Sequence, residues 1–189
     1  MTETVKIISP IDGSVYAERS LASPAEIESA VSRAKSARHV WGETTIAERQ
    51  KILSHFVDAL LLVNDDIVPE LAWQMGRPVR FGGEQRGVEE RSRYMIELAA
   101  EALAPAMRPE KPGFTRYITR EALGTVMVIA PWNYPFLTAV NSIVPGLMAG
   151  NAIILKHASQ TLLTGERFAA AAESAGLPGS GSSILTPGS

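Results

Sequence analysis

Cysteine is absent from all 189 residues of the sequence. Disulfide bonds, thiolate zinc sites and a cysteine nucleophile are therefore excluded within this chain. Acidic and basic residues are nearly balanced, with 20 Asp and Glu residues and 18 Lys and Arg residues. Neither nucleic acid nor an acidic membrane surface is expected as a partner. The apolar runs are also far shorter than the ~20 residues that a transmembrane helix needs.

Metal-binding and phosphate-binding signatures are missing as well. The three histidines, His39, His55 and His157, lack the spacing of a metal site. We expect His157 to pack or cap, and the other two to lie on helices without a catalytic role. The sequence has no Walker A motif and no GxGxxG turn between a strand and a helix.

The composition is that of a globular protein, with 46% hydrophobic and 20% charged residues. The first residues, MTETVKIISPIDG, do not place an apolar stretch after a basic one, as a secretory signal would. A cytoplasmic location is the expectation.

The first hundred residues predict a hairpin followed by four helices. The hairpin covers residues 6–20, and two capping boxes, SPAE from Ser23 and TIAE from Thr45, start the first two helices. We expect Asn64 or Asp65 to cap a third helix that ends at Gly76. The fourth helix, about residues 84–103, is predicted to turn four apolar residues inward: Val88, Met95, Leu98 and Ala102.

Residues 109–122 differ in character from both neighbouring regions. Prolines interrupt the chain before FTRYITRE, a strand pattern in which both faces mix apolar and charged residues. Such a strand suits a sheet edge or a subunit contact better than a core. It predicts a segment for oligomerisation.

From residue 125 onward the pattern becomes strand, helix, strand, helix. Apolar strands are predicted at 125–130 and 152–155, with helices at 136–148 and 161–175. This spacing indicates an α/β fold, the first half of a doubly wound parallel sheet covered on both faces. Residues 179–189 are a Gly/Ser-rich tail, at the place where a third strand is expected. The tail fits a flexible loop, a linker or a chain-end remnant.

Polar side chains follow both predicted parallel strands. The first strand is followed by Pro131-Trp132-Asn133-Tyr134-Pro135, and Lys156 and Ser159 follow the second. Ligands of open α/β sheets bind at these carboxyl ends. Asn133 carries amide donors suited to an oxyanion, and Lys156 and Ser159 suit hydroxyl or phosphate groups. The alternatives stay open: Asn133 as a turn former and Lys156 as a solvated charge.

Together these motifs carry a resemblance to a known family. GTVMVIAPWNYP, GNAIILK and the QT-containing helix start resemble the aldehyde dehydrogenase superfamily. The earlier SPIDGSVYAERSLASPAEIESAVSRA is similar to that family's first hairpin and helix, and the resemblance covers about residues 5–178. It implies a Rossmann-like fold and a homo-oligomer, dimer or tetramer, assembled partly through residues 109–122.

The resemblance also implies chemistry. In this family a cysteine thiolate attacks an aldehyde, hydride passes to NAD or NADP, and a Glu-activated water hydrolyses the thioester. Asn133 would stabilise the oxyanion, and Lys156 would hold the adenosine ribose hydroxyls. Ser159 stands where many NAD-preferring members carry Glu, which makes NADP plausible. Asn133 is also assigned to the cofactor-binding set, and the nicotinamide ribose and pyrophosphate would lie along its remaining members: Ile129, Ala130, Pro131 and Trp132.

The chain departs from the family in what it lacks: the glycine motif, the catalytic Glu and any cysteine. We therefore expect the amino-terminal part of an NAD(P)-dependent aldehyde dehydrogenase, spanning residues 1–178 and inactive alone. The alternative is a non-enzymatic, truncated α/β module for oligomerisation or nucleotide binding.

Overall fold

A computed structural model describes residues 3–178 and 184–185 of the chain. It begins with an antiparallel hairpin of strands β1 (Thr4–Ile8) and β2 (Val15–Ser20). Four helices follow: α1 (Pro24–Gly42), α2 (Ile46–Leu62), α3 (Asn64–Met75) and α4 (Gln85–Ala102). The predicted hairpin and four helices are confirmed.

Both predicted capping boxes are present. The hydroxyl of Ser23 accepts the N–H of Glu26, and the Glu26 carboxylate accepts the N–H of Ser23 in return. Thr45 and Glu48 repeat this exchange at the start of α2. Each exchange satisfies backbone donors that the first turn of a helix leaves free, which fixes where α1 and α2 begin.

Two details of α3 and α4 differ from expectation. Asn64 does not cap α3; it is the first helical residue, because only Val63 separates α3 from α2 and leaves no room for a side-chain cap. Leu98 and Ala102 of α4 are exposed, so the predicted inward face was wrong for them. The face of α4 that packs into the core is rotated by about one position, and its buried residues are Val88, Ser92, Ile96 and Ala99.

A three-stranded parallel sheet forms the other half of the fold. Strand β5 (Thr125–Ile129) leads into α5 (Pro135–Met148), then β6 (Ala152–Lys156), a 3-10 turn (Ser159–Thr161) and α6 (Leu162–Ser174). Strand β7 (Ile184–Leu185) pairs parallel to β6, giving the order β5-β6-β7. The predicted parallel strands are confirmed, and β7 supplies a third strand. The Gly/Ser-rich tail otherwise lies outside the described residues.

The sheet is not covered as the sequence predicts. In β5 only Val128 is buried, whereas Met127 is 53% and Ile129 69% exposed. Helix α5 packs on the side of Val128 and α1 also contacts the strand, but neither covers Met127 or Ile129. The apolar run therefore predicts burial that this chain does not provide.

Helices α2, α4, α5 and α6 pack around a common apolar core. Phe168 lies at its centre, with its ring centroid 5.3 Å from that of Phe136 and 6.2 Å from that of Phe56. The buried Arg49 bonds the ends of two helices. Its guanidinium donates to the carbonyls of Gly42 in α1 (2.9 Å) and Met148 in α5 (3.1 Å). Because the last carbonyls of a helix lack partners inside it, Arg49 joins the ends of α1 and α5.

The segment predicted for oligomerisation is a short exposed hairpin. Its strands are β3 (Ala106–Met107) and β4 (Tyr117–Ile118), which pair antiparallel. Strand β4 is thus shorter than the FTRYITRE pattern predicts.

The described helices include none that is long and apolar enough to cross a membrane.

Candidate functional site

The predicted site residues meet at the carboxyl edge of the parallel sheet. Ile129, the last residue of β5, lies opposite Lys156, the last residue of β6. Just beyond, the N–H of Ala130 donates to the carbonyl of Lys156 at 3.0 Å. The structure therefore brings the end of β5 and Lys156 side by side, as the sequence predicts for neighbouring parallel strands.

Residues 131–135, which we call the PWN loop, connect β5 to α5. Trp132 is 48% exposed and Asn133 is exposed as well, while Pro135 is buried at the start of the helix. Within the described residues the Asn133 amide makes no hydrogen bond, so its two donors are available to a ligand. A turn-forming asparagine typically bonds its own backbone, and this one does not.

Lys156 and Ser159 occupy the neighbouring edge. The Lys156 side chain is half-buried, and no carboxylate of residues 3–178 pairs with it. Ser159 is exposed and begins the 3-10 turn that leads into α6. No hydrogen bond between described residues joins Ser159 to Lys156 or to the PWN loop. Both side chains are accessible to a bound molecule.

His157 is buried between the two strand ends. Its Nδ1 accepts the N–H of Ala158 at 3.0 Å, which leaves the proton on Nε2 to bond the carbonyl of Pro135 at 3.2 Å. Burial lowers the pKa of His157 to about 4, and the nearby Lys156 ammonium adds to the lowering. The ring is thus neutral at pH 7, and the expectation that it packs and caps is confirmed.

A carboxylate from a distant part of the chain holds the start of α5. Oε2 of Glu84 accepts the N–H groups of Phe136 (3.1 Å) and Leu137 (2.7 Å), and Oε1 accepts Nη1 of Arg77 at 3.1 Å. Burial raises the pKa of Glu84, against the lowering effects of the Leu137 N–H, Arg77 and the Phe136 N–H. Because Tyr134 provides no side-chain cap, Glu84 satisfies the free donors of this helix.

An open cleft lies beside the PWN loop on the side of Arg77. Its volume is about 460 Å³, and its lining includes Arg77, Asn133 and Tyr134. The Arg77 guanidinium lies 5.2 Å from the centroid of the Tyr134 ring, a cation–π distance. A small molecule has room here to reach the free amide of Asn133.

Known proteins of one family match this chain over its whole length. The family model described as "Aldehyde dehydrogenase family" matches residues 1–189. The chain belongs to the aldehyde dehydrogenase family. The match includes the Gly/Ser-rich tail, which lies beyond the resemblance described above for residues 5–178.

Individual aldehyde dehydrogenase relatives agree in sequence and in fold. A 3,6-anhydro-alpha-L-galactose dehydrogenase of Streptomyces coelicolor is 30% identical over 176 residues, which are 93% of this chain and 36% of that protein. An NAD-dependent benzaldehyde dehydrogenase from Corynebacterium glutamicum is 31% identical with a TM-score of 0.87, covering 97% of this chain and 41% of that one. An NADP-dependent glyceraldehyde-3-phosphate dehydrogenase from Bacillus halodurans C-125, complexed with NADP, is 27% identical with a TM-score of 0.87. That match covers 98% of this chain and 40% of the other.

The chain thus spans about two fifths of the length of these aldehyde dehydrogenases. Within that span it contains the PWN loop and the strand-end lysine, but no cysteine. An aldehyde dehydrogenase that uses a thiolate must obtain it from residues outside these 189.

Sequence reasoning missed Glu84 and Arg77. The helix pattern places Glu84 at the start of α4, where a charged residue is ordinary. No neighbouring residue in the sequence indicates that its carboxylate reaches α5, more than 50 residues away. One weak signal exists: Glu84 follows Gly82 and Gly83, and paired glycines indicate unusual backbone. A long-range cap of this kind becomes visible only once α4 and α5 are packed together.

Proposed function

We propose that this chain forms the cofactor-edge and oxyanion part of an enzyme that oxidises an aldehyde to a carboxylic acid with NAD or NADP. The observation that carries the proposal is the free, exposed Asn133 amide on the loop that leaves β5, beside the strand end that carries Lys156. The cysteine comes from the remainder of the enzyme. We use "full-length enzyme" for this chain followed by that cysteine-bearing part.

In the proposed reaction Asn133 acts on the substrate carbonyl. As a thiolate attacks the aldehyde carbon, negative charge develops on its oxygen, and the Asn133 side-chain N–H groups donate to it. Fixed donors aimed at a developing charge lower the barrier more than they stabilise the neutral carbonyl. The cleft beside Arg77 and Tyr134 gives the aldehyde access from solvent.

The residues at the strand ends fit a nicotinamide dinucleotide. When bound, the cofactor supplies a carbon that accepts hydride from the substrate. The exposed Ile129 and Trp132 offer an apolar wall, and the unpaired Lys156 ammonium offers donors for ribose hydroxyls. Ala130 and Pro131 lie between them and would line the same path with backbone atoms.

Ser159 bears on the choice between the two cofactors. Its hydroxyl is exposed, three residues beyond Lys156, and carries no charge. A carboxylate at this place would repel the 2′-phosphate of NADP, whereas a hydroxyl beside the lysine accepts it. We propose that the enzyme uses NADP as well as NAD.

The β3–β4 hairpin supports an oligomer. Met107, Tyr117 and Ile118 are all exposed large apolar residues on this two-stranded sheet. Apolar surface of this kind on an exposed strand edge suits a contact with a second copy. We propose a homo-oligomer, dimer or tetramer, in the cytoplasm.

Asn133→Ala in the full-length enzyme tests the proposed function. Turnover should fall by roughly 10²–10³, the usual loss for one oxyanion donor. The Michaelis constant for the cofactor should stay nearly constant, because the amide acts on the substrate oxygen. The rate is followed by absorbance of the reduced nicotinamide. Turnover close to that of the unmodified enzyme would show that Asn133 is only a turn residue.

The 189-residue chain on its own is the natural control. A covalent route needs a nucleophile of the thiol type, and the chain has no cysteine. It should therefore reduce no NAD or NADP in the presence of an aldehyde. Cofactor reduction by the purified chain would contradict the proposed use of a thiolate.

A further inference from the structure

The PWN loop is short of bonds of its own. Within the described residues neither Asn133 nor Trp132 makes a side-chain hydrogen bond, and no side chain of the loop caps α5. Two of the loop's five residues are prolines, which donate no backbone N–H. The position of Asn133 therefore depends on how the end of the loop is attached: His157 bonds the Pro135 carbonyl, and the start of α5 needs an attachment of its own.

Glu84 provides that attachment. Both backbone N–H groups that it binds, those of Phe136 and Leu137, belong to the first turn of α5, three and four residues after Asn133. The Glu84 side chain is 1% exposed, so water does not compete for these bonds. In such surroundings a carboxylate holds its donors in one geometry.

The backbone of Glu84 is unusual in the way that a positioning residue requires. Among the described residues it is the only one other than glycine with positive φ, at 69°. A non-glycine residue in this left-handed region carries strain, and strain of this kind persists where the surroundings impose it. Here the strained turn aims the carboxylate away from α4 and towards α5.

Arg77 completes the attachment on the side of the cleft. Its Nη1 bonds Glu84 Oε1, its Nε bonds the carbonyl of Gly82 at 3.0 Å, and its guanidinium lies over the Tyr134 ring. One arginine thus contacts the carboxylate, the turn that bears it and the residue next to Asn133. Glu84 and Arg77 hold the carboxyl-terminal end of the loop together.

We propose that Glu84, oriented by Arg77, is a positioning residue that fixes Asn133 for oxyanion stabilisation by anchoring the first turn of α5. The inference rests on the proposed function, because it assigns Asn133 the oxyanion role. Glu84 itself does not touch the substrate; it acts through the placement of the amide. Its loss should therefore lower turnover more than it weakens cofactor binding.

Glu84→Gln is the informative variant. It keeps the side-chain length and the backbone, but it turns one acceptor oxygen into an NH2 group that must face either Arg77 or the backbone N–H groups of α5. In the full-length enzyme kcat should fall roughly 10- to 100-fold, since small misplacement of a catalytic group costs up to about 10². The cofactor KM should rise less than kcat falls, because Lys156 and Ser159, the proposed contacts of the adenosine ribose, lie outside the loop.

Glu70→Gln is the matched control. Glu70 is a partly buried carboxylate that, like Glu84, pairs with an arginine, here Arg167, but it lies on α3 and bonds no backbone of α5. It should lower stability without a comparable loss of kcat. Equal losses of kcat in both variants would mean that Glu84 acts only through general stability, which would overturn the proposal.

A double-mutant cycle gives the sharpest test. If Glu84 acts through Asn133, Glu84→Gln should lower kcat markedly in the unmodified enzyme and hardly at all in the Asn133→Ala enzyme, because the group that it positions is gone. The same fold-loss in both backgrounds would refute the proposal. If Asn133→Ala alone leaves kcat unchanged, the proposed function fails instead, and the two failures are distinguishable.

A second measurement needs no activity. Acrylamide quenching of Trp132 in the 189-residue chain is obtained by subtracting the signal of a Trp132→Phe variant. Glu84→Gln should increase this quenching because the loop is no longer anchored, whereas Glu70→Gln should leave it unchanged. Unchanged quenching in Glu84→Gln would show that the loop keeps its position without the carboxylate.

Discussion

Acid should unfold this chain through His157. Its folded pKa is lowered from 6.5 to about 4, chiefly because the ring is buried and also because the Lys156 ammonium is near. In the unfolded chain the ring is solvated and takes up a proton near pH 6.5. As the pH falls below 6.5 the unfolded state therefore binds the proton first, and the free energy of unfolding decreases until about pH 4.

The size of the effect follows from the two pKa values. They differ by about 2.5 pH units, and each unit corresponds to about 1.4 kcal/mol, so the full loss is about 3 kcal/mol. Between pH 7 and pH 5 the expected loss is about 2 kcal/mol. Above about pH 7.5 the contribution of His157 should be constant.

The assay is urea denaturation followed by circular dichroism at several pH values, on the chain and on His157→Gln. Other groups titrate in the same range; Glu84, with its raised pKa, shifts stability in the opposite direction. Subtracting the variant from the unmodified chain removes these contributions. The control for replacing a histidine at an exposed position is His55→Gln, on the exposed face of α2. If the unmodified chain and His157→Gln lose stability in parallel as the pH falls, His157 is not the buried neutral group described above.

Three further outcomes are expected. Gly150→Ala should lower the free energy of unfolding by about 2 kcal/mol in the same denaturation assay, since Gly150 has φ of +86° and an added Cβ would lie 2.8 Å from Nη1 of Arg49. The control is Gly42→Ala, which should be nearly neutral because the space around Gly42 is open. Arg49→Lys should cost about 3 kcal/mol, because an ammonium cannot reach all the carbonyls that the guanidinium bonds at the ends of α1 and α5, and a loss below about 1 kcal/mol would contradict this. Ser159→Glu in the full-length enzyme should shift the ratio of kcat/KM values towards NAD by about 1–3 kcal/mol, roughly 5- to 150-fold, and an unchanged ratio would show that Ser159 and Lys156 do not contact the ribose.

Short sequence patterns predict the helix starts and the parallel strands of this fold well, because residues close together in the chain determine those features. The capping boxes at Ser23 and Thr45 fix two helix starts within one turn of chain, and the alternation of apolar strands and helices after residue 125 predicts the parallel sheet. The burial of α4 is less predictable, since Val88 and Leu98 look equally apolar in the sequence. Which of them turns inward depends on how α4 meets α2 and α5.

The candidate site divides in the same way. Asn133 and Lys156 can be found from the sequence because both directly follow parallel strands, whose ends meet at one edge. Glu84 and Arg77 cannot, because their role depends on contacts with α5 that no short stretch of sequence encodes. The exposure of Met127 and Ile129 in β5 could not be predicted either, because an apolar strand pattern indicates burial whether or not the covering residues belong to the same chain.

The position of β5 in the sheet has a consequence for the biosynthesis of the protein. In the described sheet β5 has β6 on one side only, so the backbone N–H and C=O groups along its other edge have no strand partner, beside the exposed Met127 and Ile129. An apolar strand with a free edge is a template for pairing with other extended chains. On a polysome, where several copies emerge close together, this edge would favour pairing between neighbouring copies. Rapid coverage of this edge would then favour assembly over aggregation.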